Sequence, residues 1–172
     1  MNDIKSDILV IDTGADQSII CGESWTVTHQ TGRSVLISAY LQDQPPQEYP
    51  IVSACTMVVG RNTQKWLIRI NEAIYVEGKG HQESLLHPFQ AMRHGVRFDM
   101  TPHGYKKADG EIGQQLLIVS DTKIPLEYDT KKLYIHLRKP SVDEMSNAEI
   151  IELTSSQPFS LEEDVEDIEP EG

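Results

Sequence analysis

Residues 8–20 read ILVIDTGADQSII: four apolar residues run straight into Asp12-Thr13-Gly14, and an apolar pair resumes at Ile19. A continuous apolar run of that length suits a strand buried on both faces. Driving such a strand into a carboxylate is costly unless the charge is paired or its ionisation shifts. Asp12 therefore either caps an ordinary turn or occupies an unusual position for a purpose. Asp-Thr-Gly alone is common turn chemistry. Its context sets it apart, because a surface turn does not need apolar strands on both sides. Gly14 permits a tight turn that brings amides close to the carboxylate. Ala15 is small where backbones crowd, and Asp16 adds a second acid to the loop.

The rest of the chain reads as short strands between turn residues. Residues 34–41 (SVLISAYL), 51–59 (IVSACTMVV) and 66–76 (WLIRINEAIYV) are strands, the last pairing back on the one before it across the polar turn GRNTQK. Between the first two, QDQPPQEYP should break regular pairing, because three prolines remove donors. Residues 84–95 (SLLHPFQAMRHG) change period: an apolar pair, a proline at a first-turn position, apolar Phe89 and Met92, and a terminating glycine predict one short helix. VRFDM, QLLIVS and KLYIHL supply further strands. After residue 140 the pattern decays; VDEMSNAEIIEL fits one helical segment, and the remainder reads as a disordered acidic tail.

The 172 residues suffice for one domain with a real core. The net charge of −12 is unevenly placed: the 11 acids from residue 141 onward face no Lys or Arg, which leaves 16 acids against 15 bases in residues 1–140. A near-neutral body lacks the basic surface that phosphate backbones select, so direct nucleic-acid binding is not expected. Cys21 and Cys55 form no zinc spacing and, with no secretory signal, read as reduced thiols packed as small apolar residues. No apolar run approaches the about 20 residues of a membrane helix. The chain reads as a cytoplasmic protein without signal peptide or membrane contact. His81, His87 and His94 have no Glu or Cys at ligand spacing, so no metal or other cofactor is expected and the histidines read as solvated or capping. Trp25 and Trp66 read as core anchors.

VIDTGADQSII resembles the active-site loop of the retropepsin-like aspartic proteases of retroviruses and retrotransposons. SLLHPFQAMRHGVRFD is closer to retrotransposon proteases of the copia kind, in which Leu-Leu-Ser-x-x-Gln-Leu occupies this place. The resemblance covers roughly residues 8–140. It implies an all-β, closed-barrel acid protease with one short helix on its C-terminal side, and a single-lobed protomer that forms a C2 dimer. It places a hairpin flap near Ala39–Pro50 and the apolar pair with its helix at Leu85–Leu86 and Pro88–His94. Residues 1–140 would be the protease domain, and 141–172 an acidic tail or polyprotein linker. Two departures stand out. His87-Pro88 follow Leu86 where retroviral members carry glycine, and YLQDQPPQEYP has prolines and no glycine. An N-terminal interface strand would be missing or lie upstream in a longer polyprotein, or a strand around KLYIHL would take part in the interface instead.

Aspartic proteolysis uses two carboxylates that share one proton. Asp121-Thr122 comes closest to a second motif, but Lys123 replaces the glycine; Asp109-Gly110 has no strand to deliver it. The resemblance thus implies a homodimer in which Asp12 meets its own copy, with Thr13 and Gly14 locking the paired loops together. Ala15 and Asp16, with Tyr40 and Leu41 of the flap, would bind a peptide or polyprotein substrate as an added strand. Two other readings stay open: a non-enzymatic retropepsin-like binding or dimerisation module, and an unrelated β-rich domain in which Asp12 only caps a turn.

Overall fold

The structure of the protein is a computed structural model, and it describes residues 7–14, 16–38, 45–78, 82–129 and 131–159. In chain order the elements are β1 (Asp7–Ile11), β2 (Ile19–Cys21), β3 (Thr26–Ile37), β4 (Gln47–Val59), β5 (Lys65–Val76), β6 (Glu83–Leu86), α1 (Pro88–Met92), β7 (Arg97–Asp99), β8 (Leu116–Val119), β9 (Thr122–Pro125), β10 (Glu127–Asp129), β11 (Lys132–Arg138), α2 (Val142–Asn147) and β12 (Ile150–Glu152). The fold is mostly β. Six strands close a barrel in the order β11-β1-β6-β2-β5-β4, and the β4–β11 pairing of Met57–Val59 with His136–Arg138 completes the circuit. A separate three-stranded sheet, β7-β8-β9, adds Leu117 and Ile124 to the same core. Neither described helix is long and apolar enough to cross a membrane.

Each leg of the barrel follows from its sequence. Leu9, Val10 and Ile11 are buried because β1 is central, parallel to β6 on one side and antiparallel to β11 on the other. Residues 51–58 of β4 are all buried, one face of the strand inside the barrel and the other against an outer cluster of Cys55, Met57 and Leu67. That double burial explains an apolar run without alternation. β5 pairs antiparallel with β4 as its pattern predicts, but the register slips where Asn71 and Glu72 form a bulge, with Glu72 at φ 55°. Helix α1 starts at Pro88 and ends in a Schellman arrangement: Gly95 has φ 94°, its N–H donates to the Met92 carbonyl, and that of Val96 to the Ala91 carbonyl.

Three expectations need correction. The strand expected at 34–41 begins at Thr26, and Gln47–Pro50 do pair with Ser34–Ile37 despite Pro50. β3 is an edge strand and mostly exposed, so it needs no apolar alternation and tolerates a partner that lacks one N–H. The flap expected near Ala39–Pro50 falls largely on Ala39 to Gln44, with Tyr40 and Leu41, which lie outside the described residues. Third, the fold does not stop at residue 140, and 142–153 is not one helix. Ser141 and Glu144 form a capping box that opens α2. β12 then runs parallel to β5, and Leu153 and Thr154 are fully buried. The outer face of β4 and β5 drives this, since Met145 and Ile150 cover Cys55, Met57 and Leu67. Residues 160–172 lie outside the described residues.

Candidate active site

Strand β6 slots between the two legs of the Asp12 loop: it pairs with β1 on one side and with β2 on the other. The Asp12 N–H still donates to the Leu86 carbonyl at 3.0 Å, so Asp12 leaves the sheet from a fixed point. Its side chain is half-buried, while Thr13, Gly14 and Asp16 are exposed. The Gly14 N–H donates to Asp12 Oδ1 at 2.8 Å, an Asx-type turn that orients the carboxylate. The answer to the buried-strand question is therefore geometric: the strand is buried, and the carboxylate emerges at its end, aimed by the turn. Ala15 lies outside the described residues.

The return leg is held by residues that sequence reasoning missed. Buried Ser18 donates its N–H to Gln90 Oε1 at 3.0 Å, and its carbonyl accepts the Ile74 N–H at 2.9 Å. Its hydroxyl oxygen accepts the His87 N–H at 3.0 Å. Gln90 Nε2 donates to the carbonyls of Asn71 and Glu72, and Gln17 Nε2 also donates to that of Glu72 at 2.7 Å. The bulge in β5 thus turns its carbonyls toward α1 and the loop. Glu72 is 2% exposed and forms an ion pair with Arg33 of β3. A buried Gln beside Pro88 was the available signal, but the helical pattern pointed at the wrong face. Gln90 and Ala91 are buried, whereas Phe89 and Met92 are 52% and 49% exposed.

Asp121 sits at the β8–β9 turn and Asp109 in the loop before β8, where its Oδ1 accepts the Glu111 N–H. Neither lies on an element that pairs with β1, β2 or β6. Among the described residues no group of three His, Cys, Asp or Glu is placed to hold a metal. His87 is not solvated: it stands at the N-cap position of α1 but is 2% exposed and its side chain makes no cap hydrogen bond. Burial pushes its ionisation below the usual imidazole range, against the pull of Asp16 and Asp12. Burial also raises the Cys55 thiol to about 11 and pushes Cys21 upward, so both stay protonated and poorly nucleophilic at neutral pH. Trp25 is buried in the barrel core and donates Nε1–H to Ser84 Oγ at 3.0 Å. No family model matches this chain, and neither does any curated protein or solved structure.

Proposed function

We propose that this chain is a retropepsin-like aspartic endopeptidase of a copia-type retrotransposon polyprotein, active as a C2 homodimer. The observation that carries the reading is the Asp12 loop itself. An Asp-Thr-Gly turn hangs from a closed β barrel with β6 between its legs, and the Gly14 amide sits on the carboxylate. The order of elements agrees with the resemblance: motif strand, hairpin, further strands, then Leu85–Leu86 leading into a short helix. Thr13 and Gly14 are exposed, as contact with a second copy of the loop requires.

In the dimer the two Asp12 carboxylates share one proton and titrate as a unit. The ionised member takes a proton from water as that water attacks the scissile carbonyl, and the protonated member donates to the carbonyl oxygen. The β3–β4 hairpin covers the peptide, which lies as an extended strand.

The test is cleavage of a mixed-peptide library between about pH 4 and about pH 7, with and without pepstatin, beside Asp12→Asn. Pepstatin-sensitive cleavage that falls by about 10²-fold to 10⁴-fold or more in Asp12→Asn, with unfolding unchanged, is the expected result. Absence of cleavage from a sample shown to be dimeric would replace this reading with the binding or dimerisation module.

A further inference from the structure

The loop that carries Asp12 has a neck, and one peptide junction closes it. The Leu86 carbonyl accepts the Asp12 N–H at 3.0 Å, and the next residue, His87, donates its N–H to Ser18 Oγ at 3.0 Å. Both ends of residues 12–18 are therefore fastened to one point. The His87 side chain is 2% exposed, and neither ring nitrogen meets a hydrogen-bond partner among the described residues. Its neighbours are aromatic edges: Phe89 at 5.6 Å and Phe159 at 5.7 Å between ring centroids. Native proteins keep few buried polar side chains in that condition, because it is destabilising.

The charged groups around this ring come from four directions. Asp12 and Asp16 lie on the loop, and their charges favour the imidazolium. Arg93 follows α1, with its guanidinium 5.3 Å from the Phe159 ring centroid. Glu72 of β5 accepts the Phe159 N–H at 3.3 Å, and Arg33 of β3 is paired with Glu72. Neither ring nitrogen has a hydrogen-bond acceptor among the described residues for the second N–H of an imidazolium.

We propose that His87 is a positioning residue for Asp12: its neutral imidazole, packed under the neck of the loop, fixes where the carboxylate sits, and protonation of that imidazole loosens the neck. The catalytic consequence rests on the aspartic-protease reading; the geometric claim does not. An imidazolium buried there without a hydrogen-bond acceptor is drawn toward water or toward the loop carboxylates. Either movement displaces the Leu86–His87 junction that holds Asp12 and Ser18. The acid limb of activity then belongs partly to His87.

The Gly14 amide reports on the carboxylate, because it donates to Asp12 Oδ1. Nitrogen-15 spectra of the full chain, titrated from about pH 7.5 to about pH 4, follow that amide and the His87 ring together. The two should share an inflection below the usual imidazole range. In Asp16→Asn, which removes a charge that favours the cation, the shared inflection should move to lower pH. In His87→Phe, which keeps the ring contacts and cannot ionise, the Gly14 amide should lose that inflection, and the acid limb of kcat/KM should move to lower pH. A Gly14 amide that titrates alike in His87→Phe and the parent overturns the proposal. So does a His87 ring that titrates within the usual imidazole range and ignores Asp16→Asn, an arm that decides alone if His87→Phe does not fold. If these shifts appear and no peptide is cleaved, the positioning role stands and the protease reading falls. If cleavage occurs with the same acid limb in both proteins, the positioning role falls.

Discussion

At Gly14 a hydrogen bond and a steric limit meet on one atom. The amide donates to Asp12 Oδ1 at 2.8 Å, and a Cβ built on Gly14 would stand 3.2 Å from the same oxygen. The backbone there is not in the left-handed region, so alanine is tolerated by the turn but not by the carboxylate. Gly14→Ala should therefore keep the thermal midpoint within a few degrees and lower kcat/KM by about 10-fold to 10²-fold, the cost of a carboxylate displaced by a fraction of an ångström to one ångström. Unchanged kcat/KM would mean that the turn does not aim Asp12. The tight turn that brings the Gly14 amide to the Asp12 carboxylate was legible because it is local, a turn between two apolar runs. Ser18 and Gln90 were not, because the bond between them spans 72 positions. His87 was misread for the same reason: its burial depends on Phe159, far along the chain.

Among the elements, β12 shows what local pattern cannot carry. Its three residues take their identity from β5, to which Arg69 and Asn71 tie Glu152. Burial opposes ionisation of Glu152, but hydrogen bonds from Arg69 and Asn71 outweigh it and hold the carboxyl below its ordinary range. The unfolded chain then takes up this proton first, so the contribution to stability is present above the ordinary carboxyl range and is lost as pH falls through the folded value. Glu152→Gln should lower stability by up to about 1 kcal/mol at neutral pH, a modest value because the pair is partly exposed. It should also flatten the decline below about pH 5, read from urea midpoints across that range. An equally steep decline in the variant would assign the acid sensitivity to other carboxyls. The buried strands β1, β4 and β5 announced themselves by apolar content. Residues 26–33 of β3 did not, because an exposed edge strand carries polar residues such as His29 and Gln30 and is defined by its partner.

For the molecule as a whole, the proposed chemistry makes activity depend on concentration. If two chains supply the two carboxylates, specific activity should rise with chain concentration and level off once the dimer is saturated, and the thermal midpoint should rise with it. Specific activity that stays flat on dilution, with chains shown to be monomeric, would require both carboxylates in one chain. The β-rich class was readable from runs and turns. Closure was expected only through the resemblance, because the pairing of Met57–Val59 with His136–Arg138 leaves no mark in either segment alone.

That late closure also sets a schedule. A ribosome releases β1 with neither of its sheet neighbours yet made, since β6 begins at Glu83 and β11 at Lys132. Pairings so distant in sequence form slowly, and a domain assembles as a unit once its last strands are free. The nascent chain therefore displays Asp-Thr-Gly long before it holds a shaped loop. If the proposed function holds, the site stays silent during translation, and a first cut waits until the last strands of the barrel are free.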